Sequence, residues 1–218
     1  PFLEYMIKTR ADPYFVREEF GDEHAFDKYS VSEDKDPTAV WSFARMGAST
    51  SVYSRRFSSG PYLIHIGGEH DAGGWPDFLI YNDVVVEDLQ GNIWIYAYPY
   101  EVFPPTDFHT ATIILEERND VPSTLQDGIL IIGGICYSEV RDFWRTPIYH
   151  LDLSNMAIFP VTAKGDEPGW IRDHDASLLS GGRLIVSGGK VMDEKGSFLP
   201  NTNVYELNLW TLTWTQSM

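Results

Sequence analysis

Residues Leu184–Gly189 read LIVSGG, and this short apolar run ending in two glycines decides the fold of the chain. The feature occurs twice more, in Tyr62–Gly68 (YLIHIGG) and in Ile129–Gly134 (ILIIGG). Apolar runs of this length bounded by glycine are typical of buried β-strands, because glycine lets the chain leave a strand in conformations closed to other residues. The sequence therefore predicts three copies of one supersecondary unit.

The residues around each glycine pair complete a four-stranded pattern. An alternating strand precedes the pair, and a third strand with an Asp or Asn near its end follows after a polar loop. From the second glycine to that polar residue the spacing is 20, 18 and 19 residues, at Asp88, Asp152 and Asn208. Six residues later stand Trp94, Ile158 and Trp214, which we expect to fill the gaps between neighbouring sheets. Each unit is therefore predicted to be an antiparallel meander that stacks on its neighbours to bury its faces.

This order of features resembles the kelch repeat, in which Gly-Gly follows the second strand and an aromatic residue follows the third at a fixed distance. The resemblance covers roughly residues 45–216. It implies an all-β, kelch-type β-propeller with three recognisable four-stranded antiparallel blades, at about 45–100, 108–162 and 173–216, within a region that we place at 41–218. The family includes receptor domains, actin binders and enzymes, so the resemblance predicts a fold and not a function.

Three blades are fewer than the four to eight of known propellers. Either the chain is one piece of a longer propeller, or two copies pair into a six-bladed ring, or the N-terminal region supplies a divergent blade. Residues 1–40 hold ten Asp or Glu against five Lys or Arg and no glycine pair. We predict that they form an acidic segment, irregular or part of a divergent blade. The first two alternatives are favoured because an open propeller exposes an apolar face and strand edges.

Composition narrows the choice of partners and compartment. The formal net charge is −16, with 16 basic against 32 acidic residues, which disfavours nucleic acid and anionic membranes. The single cysteine, Cys136, cannot form an internal disulfide, and neither a secretory signal nor a membrane-spanning apolar run is visible. We therefore expect a cytoplasmic protein.

The kelch resemblance places the candidate site at the mouth of the central channel. Met46, His109 and His174 are interpreted as equivalent residues at the start of the innermost strands, and the loops after the glycine pairs surround them. Imidazole can bind a ligand or metal or transfer a proton. The alternative is that each histidine packs and hydrogen-bonds between blades without binding a ligand. No third metal ligand follows their spacing. The candidate ligand- or partner-binding residues are Arg45, His70, Trp75, His109, Trp144, Arg172 and His174.

Two functional hypotheses follow. The first is a recognition module that binds a protein, peptide or small ligand at the mouth, with Trp75 and Trp144 on the rim because exposed tryptophans often anchor partners. The alternative is an isomerase or hydrolase acting on a sugar or small acid, with His109 and His174 assisted by nearby Asp residues. No catalytic motif, cofactor motif or metal site is found. We also expect that a second copy of the chain, or a further segment of it, completes the ring.

Overall fold

A computed structural model describes residues 2–11, 16, 41–54, 60–71, 78–115 and 117–217. It contains one α-helix, α1 (Phe2–Thr9), and eighteen strands within these ranges. The strands are β1 (Ser49–Tyr53), β2 (Tyr62–Ile66), β3 (Glu69–Asp71), β4 (Phe78–Ile80), β5 (Val84–Asp88), β6 (Ile93–Tyr96), β7 (Thr110–Ile114), β8 (Gly128–Ile132), β9 (Ile148–Asp152), β10 (Ala157–Pro160), β11 (Lys164–Gly165), β12 (Ile171–Arg172), β13 (Asp175–Leu179), β14 (Arg183–Ser187), β15 (Lys190–Met192), β16 (Phe198–Pro200), β17 (Val204–Asn208) and β18 (Thr213–Ser217).

The strands form three antiparallel meanders and two small sheets. The first sheet has the order β1-β2-β5-β6, the second β7-β8-β9-β10, and the third β13-β14-β17-β18 with β11 paired in parallel to β18. The small sheets are β3-β4 and β12-β15-β16. Each glycine pair directly follows the second strand of its meander, which confirms the predicted all-β character and the three four-stranded units.

The second sheet is buried on both faces, because it lies between the other two. Ile129 and Ile131 of β8 belong to one core cluster with residues of the first sheet. Their neighbours Leu130 and Ile132, which point the opposite way, pack with Trp214 and other residues of the third sheet. Successive residues of a strand face opposite sides of a sheet, so the uninterrupted apolar run ILII matches a strand that is covered on both sides.

The strand registers identify the equivalent residues of the three sheets. The first strands of the three meanders are β1, β7 and β13. The first residue of each pairs with the last residue before the glycine pair, in the combinations Ser49–Ile66, Thr110–Ile132 and Asp175–Ser187. Two positions earlier lie Gly47, Phe108 and Asp173, and all three have positive φ angles, of 63°, 52° and 53°. The amide of Phe108 donates to the Gly47 carbonyl (2.7 Å), and the amide of Asp173 donates to the Phe108 carbonyl (3.0 Å). Equivalent residues of consecutive sheets are thus joined twice by the same hydrogen bond.

The second glycine of each pair makes a further bond to the next sheet. The amide of Gly68 donates to the Thr106 carbonyl (2.8 Å), and that of Gly134 donates to the Ile171 carbonyl (2.9 Å). Gly68 has a φ of 94°, and a β-carbon there would come within 2.7 Å of the Ala48 side chain. Glycine is required here because Ala48, which precedes β1 of the same sheet, lies too close to leave room for a side chain.

The six-residue spacing to the fourth strand corresponds to a different strand register in the first sheet than in the other two. Asp152 and Asn208 pair with residues five positions later, but Asp88 hydrogen-bonds to Asn92, only four positions later. The turn is therefore one residue shorter, and a shift of one residue turns a strand side chain to the opposite face. The expectation for Trp94 was wrong: its place in the register is taken by Ile93, and Trp94 is 42% exposed, whereas Trp214 is 1% exposed.

The N-terminal helix α1 covers part of the first sheet. Its sequence FLEYMIKT brings apolar residues onto one stripe, and Met6 and Ile7 are fully buried. Just beyond the helix, the guanidinium of Arg10 pairs with Glu87 of β5 at 2.7 Å. This helix was not expected from the acidic composition of residues 1–40. Most of that segment, including the proposed divergent blade, lies outside the described residues.

Candidate functional site

The glycine-pair ends of the three sheets bring together most of the residues selected from the sequence. This end, called the mouth below, comprises residues 45–48, 106–109 and 171–174 and the loops that follow the glycine pairs. One predicted equivalence is wrong. Ala48, rather than Met46, corresponds to His109 and His174. Ala48, His109 and His174 each directly precede the first paired residue of the first strand in their sheet. Met46 is 53% exposed, and its backbone pairs with Glu69.

The two histidines, His109 and His174, each hydrogen-bond to the first strand of the preceding sheet. Nε2 of His109 hydrogen-bonds with the Ser49 hydroxyl at 2.8 Å, and Nε2 of His174 with the Thr110 hydroxyl at 2.9 Å. Both rings are buried. Burial, with a smaller contribution from His174, lowers the pKa of His109 to about 3, and burial lowers the pKa of His174 to about 4. Both rings are therefore neutral at physiological pH and are weak bases.

Buried polar atoms without partners are concentrated at the mouth. Among the described residues, Nδ1 of His109, Nδ1 of His174, Nε of Arg172 and Oδ2 of Asp107 are buried without a hydrogen-bond donor or acceptor that satisfies them. Only two such atoms of the described chain lie elsewhere, on His150 and Trp214. Because buried polar groups in folded proteins are nearly always hydrogen-bonded, this concentration calls for water or a ligand.

An acidic pair lies where the first and second sheets meet. Asp107 is fully buried, its Oδ1 accepts the amide of Cys136 at 3.0 Å, and burial raises its pKa. The hydrogen bond from the Cys136 amide lowers this pKa, and the neighbouring Glu69 carboxyl lowers it less, but the effect of burial is larger than either. The sequence analysis did not identify this pair, because 38 residues separate the two acids along the chain.

A cationic group of residues lies between the second and third sheets. The guanidinium groups of Arg141 and Arg172 lie 5.5 Å and 4.7 Å from the centre of the Phe198 ring. Lys190 pairs with Arg172 in the small sheet and is exposed. Arg172 also contacts the Asp173 carboxylate at 2.8 Å. The protein is strongly acidic, yet three cations converge on one side of the mouth.

Arg45 has a structural environment. Its side chain is 4% exposed and forms a bidentate ion pair with Asp83, with Nη2 to Oδ2 at 2.9 Å. It also lies 3.6 Å from the centre of the Tyr81 ring and donates to the Gly67 carbonyl at 3.0 Å. The guanidinium is committed to these groups, so it is not presented to a ligand.

Two further predicted residues, His70 and Trp144, lie in the segments that follow the first and second glycine pairs. Trp144 is 71% exposed and contacts Phe143 at a centroid distance of 4.4 Å. His70 is half-buried in β3, and its Nδ1 donates to the Ala44 carbonyl at 3.0 Å. Trp75 lies outside the described residues. The structure thus places Trp144 on the protein surface and His70 in a backbone contact.

Within the described ranges, His109 and His174 each have a hydroxyl as the hydrogen-bond partner of Nε2 rather than a carboxylate. Among the residues that the structure describes, there is no cluster of three or more side chains that could hold a metal ion. The described residues also contain no helix that is long and apolar enough to cross a membrane.

The described residues thus define an all-β protein built from several antiparallel sheets. No family model matches the chain, and no curated protein matches it. Among solved structures, the chain resembles YjhT with a TM-score of 0.50 and 15% sequence identity, over 86% of this chain. The similarity covers 56% of YjhT, so the chain spans little more than half of that protein. At this identity the likeness concerns the fold alone.

Proposed function

We propose that the three sheets are consecutive blades of a kelch-type propeller and that the chain is a recognition module whose ligand binds at the mouth. The repeated bonds Phe108 to Gly47 and Asp173 to Phe108 support this arrangement, because they join equivalent positions in the same direction. The histidine bonds repeat in the same way, from His109 to Ser49 and from His174 to Thr110. Such a repeated step between similar units is what a propeller requires.

The exposed surroundings of Gly188 and Asp175 in the third sheet are what we expect if a further blade packs against that sheet. Gly67 and Gly133 face backbone of the next sheet, but a β-carbon on the equivalent Gly188 would meet only one atom within 4 Å, an Asp175 carboxylate oxygen at 3.9 Å. Asp175 occupies the position at which Ser49 and Thr110 receive a histidine. A further blade, from more of the polypeptide or from a second copy, would use these groups.

The observation that carries the proposed binding role is the unpartnered Nε of Arg172. This atom is buried, while the side chain as a whole remains 20% exposed. Arg141 and Lys190 add positive charge beside it. Guanidinium groups hydrogen-bond carboxylates in a planar, often bidentate geometry. The ligand that fits is therefore a carboxylate-bearing molecule or an acidic peptide segment, rather than the basic partner that the overall charge alone would favour.

The exposed indole of Trp144 provides a second contact surface. It lies in the same loop as Arg141 and is 71% exposed. Tryptophan and arginine are enriched among residues that dominate binding energy. We expect Trp144 to pack against apolar parts of a ligand whose carboxylate is bound by Arg172.

Binding of a fluorescent tetraglutamate peptide, followed by anisotropy, tests this function. The matched tetraglutamine peptide is the control for charge. Arg172→Gln should weaken tetraglutamate binding about tenfold to a hundredfold, since a charge-assisted hydrogen bond contributes roughly 1.5–3 kcal/mol. Arg183→Gln is the matched control, because Arg183 is 48% exposed on the third sheet, where it faces Glu206. Equal binding of the two peptides, or equal losses in the two variants, would contradict a carboxylate site at Arg172.

A further inference from the structure

An aromatic groove lies between the first and second sheets, and part of its wall is at the end opposite to the mouth. It has a volume of about 390 Å³. Tyr53 and Tyr62 pair at the ends of β1 and β2 farthest from the glycine pair, which places the groove away from the cationic residues of the mouth. Its walls are four aromatic residues of the first sheet and the turn 153–156 of the second: Tyr53, Tyr62, Trp94, Tyr96, Leu153, Ser154, Asn155 and Met156.

The aromatic wall is available to a ligand because of the short turn after Asp88. That turn directs Trp94 away from the face where its counterpart Trp214 is buried, and leaves its indole 42% exposed. The rings of Tyr62 and Trp94 are inclined at 64°, with their centroids 6.4 Å apart. Two inclined aromatic rings beside an open volume can contact one ligand group from two sides.

The polar groups around the groove favour positive charge in the ligand. Of the residues that line it, none is Lys or Arg. The Asp127 carboxylate accepts the Tyr53 hydroxyl at one end. At the turn, Asp152 accepts hydrogen bonds from the hydroxyl of Ser154 (2.6 Å) and the amide of Asn155 (3.1 Å), so these two donors are already used. Carboxylates beside aromatic faces repel anions and attract cations.

We propose that this groove binds an organic cation of the quaternary or methylated ammonium type. Such a cation is attracted to the faces of tryptophan and tyrosine within about 6 Å, and its alkyl groups need no hydrogen bonds. The shared chemistry occurs in free choline-like molecules and in methylated lysine side chains of a protein. This site is separate from the mouth, so it stands or fails independently of the carboxylate-binding role proposed there.

Calorimetric titration with choline and with its neutral isostere 3,3-dimethyl-1-butanol tests the proposal. We expect choline to bind about tenfold more tightly, since the two differ in charge but hardly in shape. A trimethyllysine peptide and its unmethylated counterpart form the second arm. Tighter binding of choline indicates a free ligand, and tighter binding of the methylated peptide indicates a protein partner; either result supports the ammonium site.

Two variants separate cation recognition from apolar packing. Trp94→Leu keeps an apolar side chain but removes the indole face, and should weaken binding of the cation about tenfold. The matched change Trp210→Leu, at a tryptophan that is 56% exposed between β17 and β18, should leave it unchanged. The proposal is overturned if choline and its isostere bind equally, if neither choline nor the methylated peptide binds, or if Trp94→Leu binds like the wild type.

Discussion

Acid should destabilise the protein through the two mouth histidines. Burial lowers the pKa of His109 to about 3 and that of His174 to about 4. In the unfolded chain both imidazoles titrate near their ordinary pKa of about 6.5. Below that pH the unfolded state takes up two protons that the folded state does not, so stability falls as the pH decreases.

The size of the effect follows from these pKa values. Between about pH 7.5 and about pH 5, each buried imidazole should cost about 2 kcal/mol of unfolding free energy, or roughly 4 kcal/mol for both. The carboxylates respond differently, because acidification reduces the repulsion within a chain of net charge −16. A comparison with a variant that lacks both histidines cancels this contribution.

The assay is urea unfolding of the wild type and of the double variant His109→Gln and His174→Gln at the two pH values. Glutamine retains a hydrogen-bonding amide near Ser49 and Thr110 but does not titrate in this range. The wild type should lose about 4 kcal/mol more than the variant on acidification. If the two proteins lose the same free energy, the histidines are accessible to protons in the folded state, and their proposed burial between the sheets is refuted.

Three further substitutions test other parts of the structure, each by its urea unfolding midpoint. Arg45→Ala should cost about 3–5 kcal/mol, because it leaves the Asp83 carboxylate buried without its cation; a loss below about 1 kcal/mol would mean that the pair is solvated. Gly68→Ala should cost about 1–3 kcal/mol, since alanine is strained at a φ of 94° and its β-carbon would meet Ala48; an unchanged midpoint would contradict this close approach. Asp107→Asn should raise the unfolding midpoint at neutral pH, since burial raises the pKa of this carboxyl and penalises its charged form; a lower midpoint there would show that the charge is needed.

The repeated units could be predicted from sequence because their signals are local. Apolar runs and glycine pairs occur within a few residues of each other, and the structure places the pairs after β2, β8 and β14. The Asp or Asn near the end of each third strand also has a local cause. Asp88 and Asn208 accept backbone amides of the following turn, at 2.9 Å in both cases. Such short side-chain turns leave a recurrent mark in a sequence.

Register and long-range contacts could not be predicted in the same way. The expected equivalence of Met46 with His109 and His174 is wrong by two residues in the first sheet, where Ala48 takes that place. The connections between first and second strands differ in length, so the sequence gives no fixed distance from which to align them. A turn one residue shorter exposed Trp94. The ion pair of Arg45 with Asp83 and the contact of Glu69 with Asp107 each join residues 38 positions apart. No local pattern encodes such pairs, so the role of Arg45 as a structural residue became evident only from the fold.

Amide hydrogen exchange of Phe108 and Asp173, measured by NMR, tests the proposed succession of blades most directly. Both residues precede their strands and have positive φ angles, so their amides would exchange rapidly unless they bond to the neighbouring sheet. The account predicts that these two amides are protected to nearly the same degree as the central strand β8. Rapid exchange at both positions in an otherwise protected protein would contradict the hydrogen bonds that join the sheets, and with them the propeller arrangement.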